Sequence, residues 1–101
     1  MCNLLGYTAS MIKTFKHKGL ATLWETGKSR IDKRMHRRIL IRLALINEAE
    51  SVEDINLPGY NFHVLQGFNP KRYTVHVNGP WCLTFEFEGG NAYQVNFEQY
   101  H

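Results

Sequence analysis

The chain has 101 residues, enough for one domain, and 44% of them are hydrophobic, which excludes a disordered tail. No apolar run approaches the roughly 20 residues that span a bilayer, and the opening MCNLLGYTAS lacks the basic residues and long apolar stretch of a secretion signal, so we expect a cytoplasmic protein without membrane contact. The net charge of +3 is unevenly distributed, because residues 11–42 carry +8 and residues 43–101 carry −5. This division favours a polyanion or an acidic protein as the partner of the basic half. A solvated helix face explains the same charges equally well.

The first predicted elements are a short strand and a helix. Apolar and polar residues alternate over Met11–Phe15, which is typical of a strand. The next segment, Lys18–Glu25, places Leu20 and Leu23 at helical spacing. Gly27 follows where a helix ends most easily, because glycine adopts the left-handed conformation at little cost.

A second helix is predicted over residues 32–49, with Asp32 at its first turn. One apolar stripe faces the core, formed by Met35, Ile39, Leu43 and Ile46. Two apolar residues lie off this stripe among arginines, and the set is Arg34, Arg38, Ile41 and Leu45. These side chains form either a second packing contact or a docking surface for another chain.

After the turn at Pro58-Gly59 the hydrophobic period changes to two, which indicates strands. Four are predicted, over 62–65, 73–77, 81–88 and 93–97. Each has one apolar face that the helices can cover, while the other face is expected to be open and carries His76, Cys82, Thr84 and Glu86.

The predicted architecture is α+β, with an N-terminal strand and two helices packed on one face of a mainly antiparallel sheet. Residues 11–101 make a single domain, and residues 1–10, which show no core period, are an N-terminal extension, disordered or upstream of the native start. Cys2 and Cys82 are expected to be free thiols, and no metal-ligand spacing is present, so no metal or cofactor is expected. Three further histidines show no partner pattern and are expected at the surface: His17, His36 and His76.

Several motifs together resemble HigB-type killer proteins of the RelE/ParE toxin superfamily. They are the opening MIKTFKHKGL from Met11, the segments NLPG and FHVLQG, the run WCLTFEFEGGNAY, and the terminal Tyr100-His101. The resemblance covers the whole chain except residues 1–10 and adds a RelE-like fold to the α+β prediction.

The resemblance implies a toxin of a type II toxin-antitoxin system that serves plasmid maintenance. Its activity would be that of a metal-free endoribonuclease, an mRNA interferase that cuts mRNA on the ribosome and inhibits translation. Its partner would be a HigA-type antitoxin with a helix-turn-helix fold, and operator DNA would be bound only through that antitoxin.

Carried over residue by residue, the family's cleft is partly present. His63, Tyr100 and His101 match family positions and are the candidate catalytic residues. The family has a lysine where this chain has Gln66, an arginine where it has Cys82, and an acid where it has Gln99.

Metal-free RNA cleavage needs proton transfer to and from the sugar oxygens and stabilisation of a dianionic phosphorane. Histidine suits the proton transfers, because its pKa lies near neutrality. Fixed cations suit the phosphorane, and two of the expected cations are missing. Candidate replacements and RNA-binding cations are Lys71 and Arg72, in the loop before a strand, and Lys13, Lys16 and Lys18, facing ribosomal RNA. The antitoxin is expected on the basic helical half, at Arg34, Arg38, Ile41 and Leu45.

Two alternatives remain beside the active nuclease. Gln66, Cys82 and Gln99 favour an attenuated homologue that only binds and regulates through its antitoxin. A gyrase poison of the ParE type is the third possibility, and His63 with the terminal Tyr-His argues against it.

Overall fold

The computed structural model describes residues 11–99, which form two α-helices, a short 3₁₀ turn and five strands. In chain order these are β1 (Met11–Ile12), α1 (Lys18–Thr26), α2 (Lys33–Glu48), the 3₁₀ turn Val52–Ile55, β2 (His63–Leu65), β3 (Arg72–Asn78), β4 (Trp81–Glu88) and β5 (Asn91–Gln99). Residues 1–10, Tyr100 and His101 lie outside the described residues. Two helices against a mostly antiparallel sheet confirm the predicted α+β class.

The end of α1 and the start of α2 lie at their predicted sequence signals, Gly27 and Asp32. The Nδ1 of His17 accepts a hydrogen bond from the N–H of Leu20 at 3.0 Å. His17, which was expected at the surface, is therefore the N-cap of α1. Gly27 ends that helix in the left-handed conformation (φ 79°) and donates its N–H to a carbonyl one turn back. Asp32 caps α2 by accepting from the N–H of Arg34 at 2.9 Å.

The sheet has the order β1-β5-β4-β3-β2, with β1 parallel to β5 and the remaining pairs antiparallel. The predicted strand Met11–Phe15 is shorter than expected, because after Ile12 the pairing with β5 continues only as an isolated bridge from Phe15 to Val95. Gln94 has φ 51° at this point, and its N–H bonds to the hydroxyl of Thr14 at 2.7 Å. A side chain therefore replaces a backbone partner there.

The core lies between the helices and the apolar face of the sheet. The predicted stripe of α2 is buried, and so are Leu20 and Leu23 of α1. The sheet contributes Val75, Val77, Leu83, Phe85, Val95 and Phe97. The alternation in the sequence therefore identified the covered face correctly.

The opposite face of the sheet, here called the polar face, is less open than expected. Its registers place His63 beside Thr74, Thr74 beside Thr84, and Cys82 beside Glu98. Thr74, Cys82 and Thr84 are nevertheless buried. The reason is that β2 and the loop after it add side chains to this face, which turns its centre into a cavity.

Candidate active site

A cavity of about 330 Å³ lies on the polar face, between side chains of four neighbouring strands. It is lined by His63, Leu65, Phe68, Thr74, Cys82, Thr84, Glu98 and Gln99. We call it the polar-face cavity. The sheet order explains its make-up, since β2 and β5 lie on either side of β3 and β4 and supply opposite walls.

His63 is exposed at one wall of the polar-face cavity, and its ring is held by one hydrogen bond. Its Nδ1 lies 2.9 Å from the carbonyl oxygen of Asn61. A carbonyl can only accept, so Nδ1 carries the hydrogen and donates it. In the neutral ring the lone pair is then on Nε2, which can take a proton from a substrate.

Arg72 is buried beside the polar-face cavity, and its guanidinium makes three hydrogen bonds. It donates to the hydroxyl of Thr84 at 3.1 Å and to the carbonyl of Gln94 at 2.9 Å, and it forms an ion pair with Glu86 at 3.4 Å. The Thr84 hydroxyl in turn donates to the carboxylate of Glu98. The prediction that Arg72 belongs to a loop is wrong: it opens β3, and its charge is already paired.

Cys82 forms part of the floor of the cavity, where the resemblance implied an arginine. Burial raises the pKa of this thiol, so it stays protonated and unreactive at neutral pH. Thr74 lies beside it, 1% exposed, and its hydroxyl has only the Cys82 thiol, a weak hydrogen-bonding group, as a partner within residues 11–99. The described floor therefore offers a weakly satisfied hydroxyl and no cation.

The remaining family positions lie near the cavity or beyond the described residues. Gln66 is exposed in the turn directly after β2, three residues from His63. Gln99 lines the cavity at the end of β5. Tyr100 and His101, which follow it in the sequence, lie outside the described residues, so their predicted catalytic roles stay predictions.

The structure does not gather the predicted RNA-binding lysines around His63. Lys71 lines a separate cavity of about 210 Å³, together with Glu86 and Glu88. Lys13 and Lys16 are exposed between β1 and α1. At the start of α1, Lys18 borders a third cavity of about 500 Å³, which it shares with Lys28 and Arg30. These cations are therefore candidates for distant phosphates and not for the reacting one.

The four side chains proposed to bind an antitoxin lie along one side of α2. Ile41 is 48% exposed, and the guanidinium of Arg34 pairs with Asp32 at 2.7 Å. The exposed Arg38 also donates to the carbonyl of Val77. Leu45 is partly buried and packs against the core, so Ile41 is the more exposed of the two apolar residues.

Three polar residues have structural partners that their sequence positions did not indicate. Arg42 is buried: it donates to the carbonyl of His76 at 2.6 Å and its guanidinium lies 4.2 Å from the ring centre of Tyr60. His36 donates to the carbonyl of Ile31 at 2.6 Å, and His76 donates to that of Gly79 at 3.0 Å. His36 and His76, which were expected at the surface, are thus half-buried and hydrogen-bonded.

Four cavity residues were not singled out from the sequence: Leu65, Phe68, Thr74 and Glu98. The alternation of β5 could have placed Glu98 on the polar face, because its neighbour Phe97 faces the core. Phe68 belongs to an irregular loop, where no periodicity marks it. Within residues 11–99 no group of three or more His, Cys, Asp or Glu could hold a metal ion, and none of the described helices is long and apolar enough to cross a membrane.

Two comparisons with known proteins match this chain over most of its length. Residues 13–101 match a family model described as the RelE-like toxin of type II toxin-antitoxin system HigB. A curated protein from Proteus vulgaris, Endoribonuclease HigB, is 39% identical over 92 residues, which cover 90% of this chain and 100% of that protein.

Proposed function

This chain belongs to the HigB-like family of RelE-like toxins of type II toxin-antitoxin systems, and from that membership we propose that it stops translation by cutting messenger RNA on the ribosome. It is a toxin with an antitoxin as its partner, and it is an endoribonuclease. The observation that carries the activity is the similarity to Endoribonuclease HigB along that protein's whole length. The proposed substrate places the protein in the cytoplasm.

His63 is the proposed general base of this reaction. Its Nε2 takes the proton of a ribose 2′-hydroxyl, and the 2′-oxygen attacks the adjacent phosphorus. The bond from phosphorus to the 5′-oxygen breaks, and that oxygen takes a proton from a general acid, which we propose to be His101. The products are a 2′,3′-cyclic phosphate and a 5′-hydroxyl. We propose that Tyr100 completes the site by stacking on a neighbouring base.

The phosphorane of this reaction has weak cationic support. The guanidinium of Arg72 is already paired with Glu86, and Lys71 lines a different cavity. Removing one stabilising donor of this kind typically costs about 10²–10³ in rate. We therefore expect a slower chemical step than in a relative that carries cations at positions 66 and 82.

The partners follow from where the charges lie. We propose that Lys13, Lys16 and Lys18 contact ribosomal RNA phosphates, because all three are exposed and none is paired with an acid among the described residues. We propose that a HigA-type, helix-turn-helix antitoxin docks on α2 around Ile41. The toxin would reach operator DNA only through that antitoxin, in a system that serves plasmid maintenance.

Induced expression tests the proposal directly. Growth and primer extension on cellular mRNA are followed with and without the neighbouring antitoxin gene. We expect growth arrest together with new mRNA ends that depend on ribosome occupancy, and both should disappear when the antitoxin is present. Binding of the antitoxin with neither growth arrest nor new mRNA ends would instead support the attenuated homologue.

A further inference from the structure

We propose that the polar-face cavity binds one unpaired nucleobase that carries an exocyclic amino group, with Phe68 stacking on the base and the Glu98 carboxylate accepting a hydrogen bond from the amino group. The inference rests on the proposed function, because it presumes that the substrate is RNA. It adds a reason for the enzyme to prefer some bases over others at this position.

Size and shape suit a single flat ring system. The volume of about 330 Å³ lies at the lower end of the range for small-molecule sites. Phe68 is 51% exposed at this cavity, although a large aromatic side chain usually gains from burial. Stacking on a base would cover its ring, and such stacking is worth about 1–3 kcal/mol per base in single-stranded RNA sites.

Charge argues for a base and against a phosphate. Among the described side chains that line the cavity, Glu98 is the only Asp, Glu, Lys or Arg, so with a neutral His63 the formal charge of these side chains is negative. The Arg72 guanidinium beside it is offset by Glu86. A phosphate would be repelled from the floor beside Glu98 and is expected at the rim near His63, whereas a carboxylate readily accepts from the amino group of a base.

The polar groups at the floor match the edge of a base. One carboxylate oxygen of Glu98 accepts from the Thr84 hydroxyl, and the other makes no hydrogen bond within residues 11–99. Thr74 adds a buried hydroxyl whose partner within residues 11–99 is the thiol of Cys82, a weak hydrogen-bonding group. A ring nitrogen or carbonyl of a base would be a stronger partner for this hydroxyl.

Binding of nucleosides to the isolated full chain tests this inference without requiring cleavage. Adenosine, cytidine, guanosine and uridine are titrated against the ¹⁵N-labelled protein, with ribose 5-phosphate as the probe that lacks a base. We expect the three amino-bearing nucleosides to shift the amide signals of Phe68, Thr74 and Thr84, and uridine to bind about tenfold more weakly, since a hydrogen bond to a charged group is worth about 1.5–3 kcal/mol.

Two variant pairs separate the roles of Phe68 and Glu98. Phe68→Ala should weaken nucleoside binding about tenfold, whereas Phe68→Tyr keeps a ring and should bind as the parent does. Glu98→Gln has nearly the same shape but can also donate, so the preference over uridine should fall to within about twofold. Thermal unfolding of each variant confirms that it is folded.

Three results would overturn the inference. They are equal binding of uridine, signal shifts in the cavity caused by ribose 5-phosphate alone, and no shifts there at millimolar nucleoside. Cleavage by a chain that fails these tests would leave the proposed nuclease function intact. Nucleoside binding by a chain that never cuts RNA would leave the cavity proposal intact and overturn the function.

Discussion

At the scale of single residues, the chemistry of the site depends on one backbone carbonyl. Asn61 has φ 47°, a left-handed conformation that asparagine tolerates better than most residues, and its carbonyl takes the Nδ1 hydrogen of His63. This bond assigns the free lone pair to Nε2. A substitution at Asn61 that disfavours positive φ is therefore expected to disturb the orientation of the proposed general base, His63, without changing that residue.

We predict that His63→Ala lowers single-turnover cleavage of ribosome-bound mRNA by at least about 100-fold, because a positioned general base contributes about 10²–10⁴ in rate. The side chain is exposed, so the free energy of unfolding should change little. His76→Ala is the matched control: it also removes a hydrogen-bonded histidine from β3 next to the site, yet His76 does not line the cavity. Similar losses from both substitutions would contradict the assignment.

Adding a cation next to His63 should speed cleavage. Gln66 is exposed in the turn after β2, so Gln66→Lys can reach the reacting phosphate without filling the polar-face cavity. We predict a gain of about 10-fold in single-turnover rate, equivalent to about 1.4 kcal/mol of transition-state stabilisation. Gln66→Met, which has a side chain of similar length but no charge, controls for shape.

Cys82→Arg should help less than Gln66→Lys. The new guanidinium would rise from the cavity floor beside Glu98, its cross-strand neighbour, and be partly neutralised there. Adding it to Gln66→Lys is expected to raise the rate further only if its charge still reaches the phosphate. An unchanged rate in all three proteins would show that missing cations do not limit this enzyme.

At the scale of elements, local signals predicted the helices and strands but not their long-range pairing. Gly27 at the end of α1 and Asp32 at the start of α2 act on the backbone next to them, so these two helix boundaries could be predicted from the sequence. The parallel pairing of β1 with β5 joins segments about 80 residues apart, and no period reports it. The cavity was missed for the same reason, because Phe68 and Glu98 meet only after β2 and β5 take opposite sides of the sheet.

The start of α2 makes a pH-dependent contribution to stability. Hydrogen bonds from Arg34 lower the pKa of Asp32 from 3.8 to about 2. A lowered carboxyl pKa stabilises the fold above the unfolded value of 3.8, and this stabilisation is lost as the pH falls toward 2. Asp32→Asn keeps a capping oxygen but not the charge, so it should unfold at a lower temperature than the parent at neutral pH.

Thermal unfolding at a series of pH values measures this effect. The difference in midpoint between the parent and Asp32→Asn should shrink as the pH falls from 3.8 and vanish only below about 2. Added salt should also reduce it, because Arg34 is exposed. A difference that stays constant across this range would mean that the cap acts through its geometry alone.

At the scale of the whole molecule, the proposed partners correspond to positive charges on different surfaces. Residues 11–42 hold most of the positive charge, and their exposed cations include two groups with proposed partners. Lys13, Lys16 and Lys18 lie from β1 to the start of α1, while Arg34 and Arg38 border Ile41 on α2. Charge totals from the sequence could not show which cations are exposed, because Arg42 counts among them and yet is buried against Tyr60.

Two triple variants test whether these surfaces are independent. Arg34→Glu, Arg38→Glu and Ile41→Asp together should weaken antitoxin binding at least about 100-fold, mainly through slower and less salt-sensitive association and through the lost apolar contact. Lys13→Glu, Lys16→Glu and Lys18→Glu together change the same number of side chains, and they should weaken ribosome binding instead. Antitoxin affinity that is unchanged by the first set would contradict the proposed docking surface.

The position of β5 inside the sheet affects when the toxin becomes harmful during its own synthesis. This strand lies between β1 and β4, and its last residues, Glu98 and Gln99, complete the wall of the polar-face cavity. A nascent chain emerges from its N-terminal end, so the helices leave the exit tunnel long before the strand that completes the sheet. Until residue 99 is free, the polypeptide has neither its finished sheet nor its cavity. Translation itself thus delays activation, and an antitoxin that recognises α2 could bind the growing chain before the nuclease is assembled.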